Sequence, residues 1–115
     1  MGEKFNPRDY RLYRAVKSRS HYYVDGMVRE ECRNGHLWVF FYDRRVFHLS
    51  LSTGFFEAAT YGENHRWLRD KMNACLAGAN IKCRLFINEF GKLVGTTLDG
   101  REFSSYKFNS KVLKV

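Results

Sequence analysis

The sequence has little of what marks a disordered, secreted or membrane-spanning chain. Proline occurs once in 115 residues, whereas aromatic residues make up 17%. Disordered segments carry few aromatic side chains, so this composition indicates a folded protein. No apolar run approaches the roughly 18 residues that a membrane span requires. The first residues also lack the apolar core of a signal peptide and the pattern of a myristoylation site, so we expect no membrane partner.

Cysteine is also sparse. Cys32, Cys75 and Cys83 form an odd number without paired spacing, and neither Cys-x-x-Cys nor His-x-x-x-His occurs. The sequence therefore predicts no disulfide framework and no metal site, and it suits a reducing, cytoplasmic compartment. No glycine-rich phosphate loop is found either, so we expect no cofactor.

Charge of one sign is in excess. Twenty Lys and Arg residues against twelve Asp and Glu residues give a formal net charge of +8. Phosphate polymers and acidic proteins both attract such a domain. Residues 1–20 are predicted to form a basic helix or arm. The helix should start at Asn6, an N-cap residue followed by Pro7. A solvated helix face and a segment that follows phosphates are both compatible with its arginines, which are Arg8, Arg11, Arg14 and Arg19.

The most strongly patterned stretch predicts a hairpin of strands Leu37–Tyr42 and Val46–Leu51. If Arg44-Arg45 form a two-residue loop, one face is large and apolar and should be core. That face carries Trp38, Phe40, Tyr42, Phe47, Leu49 and Leu51. The other face, beside the two arginines, is the first candidate for a binding surface. It carries Val39, Phe41, Val46, His48 and Ser50.

The remaining patterns predict one domain over residues 1–115. A first β-meander over 21–52 is punctuated by Asp25-Gly26 and Asn34-Gly35, which are hairpin turn signals. The capping-box pattern from Thr60 to Glu63 predicts a helix over 61–77, ended by Gly78. Its apolar stripe should pack on the sheet, with Asn73 on the solvent side. A second meander over 81–108 and a short tail over 109–115 follow.

This order of elements predicts an α+β fold with mainly antiparallel sheet. A helix between the third and fourth of five strands is the arrangement of a small OB-like barrel. The same elements could instead form an open, curved antiparallel sheet crossed by one helix. Open sheet edges at either end of the strand order could pair two copies, so a homodimer is possible.

Basic side chains that follow phosphates, combined with aromatic rings on which bases stack, are typical of nucleic-acid-binding surfaces. We therefore expect a non-catalytic module for single-stranded or loosely sequence-specific nucleic acid. The candidate residues are Arg8, Arg11, Arg14, Arg19, Tyr22, Tyr23, Phe41, Arg44, Arg45, His48, Lys82, Arg84 and Phe86.

Two other functions fit the same composition. Aromatic residues and arginines are also enriched at protein-binding hot spots, which fits an inhibitor or adaptor. Its target could be an acidic or nucleic-acid-handling protein, as for small proteins of mobile elements that block such an enzyme. Four histidines and many arginines could instead form a metal-free ribonuclease, but no pattern fixes two catalytic groups side by side, so we expect no enzyme.

Overall fold

The computed structural model describes residues 6–59, 65–91, 93–97 and 102–104. After a 3-10 turn at Pro7–Asp9, the elements in chain order are α1 (Arg11–Ser18), β1 (His21–Asp25), β2 (Val28–Arg33), β3 (His36–Phe41), β4 (Arg44–Ser50), β5 (Phe56–Ala58), α2 (His65–Gly78), β6 (Cys83–Ile87), β7 (Leu93–Thr97) and β8 (Glu102–Ser104). Asn6 caps the first turn as predicted, because its side chain accepts a hydrogen bond from the Arg8 amide. Within these ranges, no helix has the length and apolar character to cross a membrane.

The fold is α+β with antiparallel sheet, as predicted. Strands β1 to β5 form one antiparallel meander in chain order, and β6 to β8 form a second, three-stranded sheet. In the part of the chain that the structure describes, the two sheets are separate and neither closes on itself. The OB-like barrel is therefore not confirmed. The predicted capping box at 60–63 and the tail at 109–115 lie outside the described residues.

The central hairpin turns at Tyr42-Asp43, and not at the two arginines. Tyr42 and Asp43 have φ angles of 51° and 63°, the left-handed conformation that a type I′ hairpin loop requires at both positions. Phe41 consequently pairs with Arg44, and the register shifts at a bulge between Val39 and Phe40. The predicted register was wrong because Arg44 and Arg45 do not form the loop. They are the first two residues of β4, and both are exposed.

That shift also reverses the predicted assignment of the two faces of β3 to the core and to the surface. Leu37, Val39 and Phe41 are at most 3% exposed and pack in the core, whereas Trp38 and Phe40 lie on the opposite face. Both faces of β3 are apolar, so the pattern within this strand could not distinguish them. A slip of one residue moves every side chain of a strand to the other face. The predicted exposure of Phe41 was wrong for this reason.

Helix α2 is the centre of the molecule. All six consecutive residues from Lys71 to Leu76 are buried, which places other elements around the whole helix. Leu68, Met72, Cys75 and Leu76 are in the core as predicted. Gly78 is the last residue of the helix, one residue beyond the predicted end at Ala77. A Cβ atom there would lie 2.8 Å from the Tyr13 carbonyl oxygen, so the glycine allows α1 to approach α2 closely.

Asn73 joins α2 to the second sheet. Its side-chain amide donates to the Leu85 carbonyl at 3.0 Å and accepts from the Leu85 amide at 2.8 Å. Asn73 is 7% exposed, so its predicted solvent-facing position was wrong. In β6, Cys83 and Leu85 are buried and Arg84 between them is exposed.

The core also holds one buried carboxylate. Glu30 on β2 is fully buried and binds three cationic or titratable side chains from three other elements. Arg11 Nε and His21 Nε2 lie 3.2 and 2.9 Å from Glu30 Oε1, and Lys71 Nζ lies 3.1 Å from Oε2. A buried charge is tolerated when it is paired and hydrogen-bonded in this way. Glu30 is enclosed by the fold, whereas the Arg11 side chain that binds it is 39% exposed, and the network joins four elements of the structure.

Candidate nucleic-acid interface

In the described part of the chain, the five-stranded sheet has one face that neither α1 nor α2 covers. Residues of α1 and α2 pack in the core with Leu37, Val39 and Phe41 from the inner face of β3. We call the opposite side the outer face. Strand register arranges its side chains in two cross-strand rows. One row holds Tyr22, Glu31, Trp38, His48 and Glu57, and the other holds Val24, Arg29, Phe40 and Arg45.

Four rings stack on the outer face of β3 and β4. Trp38 and His48 stack with centroids 3.9 Å apart and planes 17° apart. Trp38 and Phe40 are nearly parallel at 6.5 Å, and His36 stacks on His48 at 5.2 Å. We call Phe40, Trp38, His48 and His36 the ring column. The rings of Phe40, Trp38 and His48 are half-buried, and that of His36 is exposed.

The two histidines of the column are hydrogen-bonded to each other. His36 Nδ1 and His48 Nε2 are 3.0 Å apart, and His48 Nδ1 lies 3.9 Å from Glu57 Oε1. Burial first, and then the charges of His36 and Arg45, lower the pKa of His48. A carboxylate near Nδ1 favours the proton on that nitrogen, so we assign His48 Nε2 as the acceptor and His36 Nδ1 as the donor. Neutral His48 therefore presents a stacking ring at neutral pH.

Arginines flank the column on both sides. The Arg29 guanidinium lies 4.0 Å from the centroid of Phe40, a cation–π contact. Arg29 Nε lies 2.9 Å from Glu31 Oε2. The two atoms form an ion pair, but their geometry is not that of a hydrogen bond. Arg45 pairs with Phe40 from the other side, on β4. Arg33 lies opposite His36 and its side chain is 77% exposed. These cations could contact the phosphates of a strand whose bases reach the rings.

Part of the predicted set of binding residues lies on or beside this face. Tyr22 is 69% exposed on β1, and His48 belongs to the ring column. Arg44 and Arg45 are exposed at the start of β4. The other exposed cations lie elsewhere: Arg8, Arg14 and Arg19 are in or beside α1, on the opposite side of the sheet, and Lys82 is just before β6. The predicted cations are thus divided among three regions, and Phe86 is half-buried in the second sheet.

Four predicted residues make contacts within the protein. Arg11 binds Glu30, and its guanidinium carbon lies 3.4 Å from the ring centroid of Tyr23, which it covers. Arg84 donates two hydrogen bonds of 2.7 Å to the carbonyls of Ile81 and Cys83, and burial lowers its pKa. Phe41 is 3% exposed in the core. Internal contacts therefore occupy Arg11, Tyr23, Arg84 and Phe41.

The sequence interpretation missed Trp38, Phe40, His36 and Arg29 as surface residues. A usable signal was present in Asn34-Gly35, whose φ angles of 53° and 79° form a two-residue turn. That turn pairs Arg33 with His36 and therefore Glu31 with Trp38. Arg29, Glu31 and Arg33 make one face of β2 entirely charged, whereas Val28 and Cys32 lie on the other, so this register would have placed Trp38 and Phe40 on the polar face.

No family model, curated protein or solved structure matches this chain. Among the residues that the structure describes, no group of three or more His, Cys, Asp or Glu side chains is placed to hold a metal ion.

Proposed function

We propose that the chain is a nucleic-acid-binding module and that it binds single strands on the outer face of the five-stranded sheet. The observation that supports this function is the ring column, flanked by arginines, on a sheet face that neither helix covers. Aromatic platforms bind unpaired bases through their π faces, whereas the bases of a duplex are already stacked on each other.

The gap between Trp38 and Phe40 is suited to one flat base. The two rings are 22° from parallel, with centroids 6.5 Å apart. A ring inserted between them needs about 3.5–4 Å on each side, so the gap must widen by roughly 1 Å. Both side chains are at the surface and can turn by this amount. Each stacked base contributes about 1–3 kcal/mol to binding.

Stacking should contribute more to affinity than phosphate contacts. The outer face carries acidic as well as basic side chains, and Arg29 contacts both Glu31 and Asp43. The acidic residues there are Glu31, Glu57 and Asp43, and the basic ones are Arg29, Arg33 and Arg45. Fewer released counterions mean a shallower dependence of affinity on salt. We therefore expect binding to weaken only moderately as the salt concentration rises.

Tryptophan fluorescence tests the proposal, because the chain has only two tryptophans. Trp38 is in the ring column, whereas Trp67 lies on α2 beside Phe41 and Lys71. In the Trp67→Phe variant, Trp38 is the sole reporter, and a single strand of about 20 nucleotides should quench it saturably. The matched Trp38→Phe variant keeps Trp67, whose emission should stay unchanged.

Labelled strands and duplexes, followed by fluorescence anisotropy, measure affinity independently. We expect Trp38→Ala to weaken single-strand binding about 5- to 150-fold, the equivalent of about 1–3 kcal/mol. Arg8→Ala, on the other side of the sheet, is the control and should bind nearly as the native protein does. No binding at about 0.15 M salt would overturn the proposal. Equal affinities of the native protein and Trp38→Ala would exclude the ring column as the site.

A further inference from the structure

Strand β1 is an edge of the five-stranded sheet. Within the described ranges, its only hydrogen-bonded neighbour is β2. Tyr22 and Val24 are 69% and 54% exposed on this edge, on the same face of the strand. Native proteins usually protect an edge strand with charge, proline or a covering element, because its free backbone groups can pair with another chain. The exposed apolar side chains of β1 favour contact with a protein.

The register identifies the backbone groups that face the open edge. Asp25 and Val28 flank the two-residue turn between β1 and β2, and such a flanking pair exchanges both of its backbone hydrogen bonds. Hydrogen-bonded pairs alternate along an antiparallel ladder, so Tyr23 and His21 also bond to β2. The N–H and C=O groups of Tyr22 and Val24 therefore point away from the sheet.

We propose that two copies of this chain pair through β1, antiparallel, about a two-fold axis at Tyr23. Tyr22 of each copy then exchanges backbone hydrogen bonds with the partner's Val24, so all the outward groups of both residues are used. The two five-stranded sheets become one continuous sheet. Each contact occurs twice, as the isologous interface of a symmetric dimer requires.

The side chains of β1 are complementary to themselves in this register. On the outer face, Tyr22 lies beside the partner's Val24, which covers apolar surface on both copies. On the inner face, His21 lies opposite the partner's Asp25, whose carboxylate can accept a hydrogen bond from the imidazole nitrogen that does not bind Glu30. The strand reads His-Tyr-Tyr-Val-Asp, so the two copies match along all five residues.

Neighbouring registers leave the strand partly unpaired. Moving the axis to Val24 would place Tyr22 opposite Gly26, which is in the turn with a φ angle of +55°. Moving it to Tyr22 would place Val24 opposite Ser20, which precedes the strand. Only the axis at Tyr23 pairs each residue of β1 with a residue of β1.

Sedimentation equilibrium of the full chain tests the dimer. We expect a dimer mass that falls towards the monomer mass on dilution. Val24→Pro removes an outward N–H and no hydrogen bond to β2, so this variant should fold and stay monomeric. Val24→Thr keeps the N–H and a β-branched side chain, and it should still dimerise. A native chain that is monomeric up to about 1 mM, or a dimeric Val24→Pro variant, would overturn the proposal.

Engineered cysteines test the register. In a non-hydrogen-bonded antiparallel pair the Cα atoms are about 4.5 Å apart, within disulfide range, so Tyr23→Cys should form a covalent dimer on mild oxidation. Tyr22→Cys is the matched control, because two residues of strand separate it from its symmetry mate, which is beyond reach. The native cysteines are at most 1% exposed and do not compete. Faster cross-linking of Tyr22→Cys would exclude this register.

Failure of this dimer is distinguishable from failure of the proposed nucleic-acid binding. The pairing uses the edge of β1, and the ring column is on β3 and β4. A monomeric Val24→Pro variant should still show quenching of Trp38 by a single strand. The dimer would, in turn, persist in Trp38→Ala.

Discussion

Lys71 Nζ and Glu30 Oε2 lie 3.1 Å apart in the core, although 41 residues separate them in the chain. This contact joins the central helix α2 to β2. Arg11 and His21 bind the other oxygen of Glu30 from α1 and β1. One carboxylate thus connects four elements of the fold.

Replacing Glu30 with alanine should strongly destabilise the protein. The change leaves Lys71, Arg11 and His21 around a cavity without a counter-charge, and removing one partner of a buried ion network costs about 3–5 kcal/mol. Urea unfolding followed by circular dichroism measures the loss. Glu31→Ala, one residue along and on the outer face, is the control and should cost about 1 kcal/mol or less. Equal losses for both variants would contradict the assigned role of Glu30.

Gly78→Ala should destabilise the protein, which is the reverse of the usual effect in a helix. Glycine to alanine inside a helix normally stabilises by up to about 1 kcal/mol. Here the new Cβ atom would lie 2.8 Å from the Tyr13 carbonyl oxygen, a backbone atom that can move only with α1. We expect a loss of about 1–3 kcal/mol, measured as a lower midpoint of thermal unfolding. An increase in stability would show that α1 and α2 are not in close contact.

Asn73→Ala should weaken the attachment of the second sheet. The change leaves the Leu85 N–H and C=O without the partner that binds both, at a cost of about 2–4 kcal/mol. Amide hydrogen exchange should show faster exchange in β6 than in β1 to β4. Asn88→Ala removes an exposed turn contact to the Phe90 amide and should cost less than about 1 kcal/mol. Uniform exchange across both sheets would contradict a local role for Asn73.

Stability should fall with acid in part because of His48. Its pKa in the folded protein is lowered by burial, by His36 and by Arg45, so the unfolded chain binds a proton more readily. The contribution is therefore fully present above the usual histidine pKa of about 6.5 and is lost as the pH falls through the lower folded value. Glu57 Oε1 also faces the ring, 3.9 Å from His48 Nδ1.

Urea unfolding at several pH values between about 7.5 and 5 measures that loss. Between these values, His48→Gln should lose less stability than the native protein, because the variant lacks the group with the lowered pKa. An equal or larger loss in His48→Gln would contradict the assignment.

The element order could be predicted from the sequence because the turns and caps are local signals. Asn34-Gly35 predicts its turn through backbone conformation alone, and Asn6 caps the first turn through its own side chain. The apolar stripe of α2 was also recognisable, since Leu68, Met72 and Leu76 recur at helical spacing. These signals depend on residues close together in the chain.

Within β3 itself, no local pattern distinguishes the candidate surface from the core, because both faces of this strand are apolar. Trp38 and Phe41 are both large and aromatic, and Phe41 packs inside against Trp67. Asn73 is polar, yet it lies in the core because Leu85 supplies both of its hydrogen-bonding partners. Arg11 and Arg14 are both arginines of α1 and look alike in the sequence, but only Arg11 lies beside Glu30.

The buried cysteines provide a set of internal reporters of partial unfolding. Cys32 lies in the first sheet, Cys75 in the central helix and Cys83 in the second sheet, each at most 1% exposed. A thiol reagent can modify each one only while its surroundings are open, so labelling rates report local opening. If the second sheet detaches as a unit, Cys83 is modified first and Cys75 follows. The order in which the three cysteines are modified thus reports the order in which the first sheet, the central helix and the second sheet open.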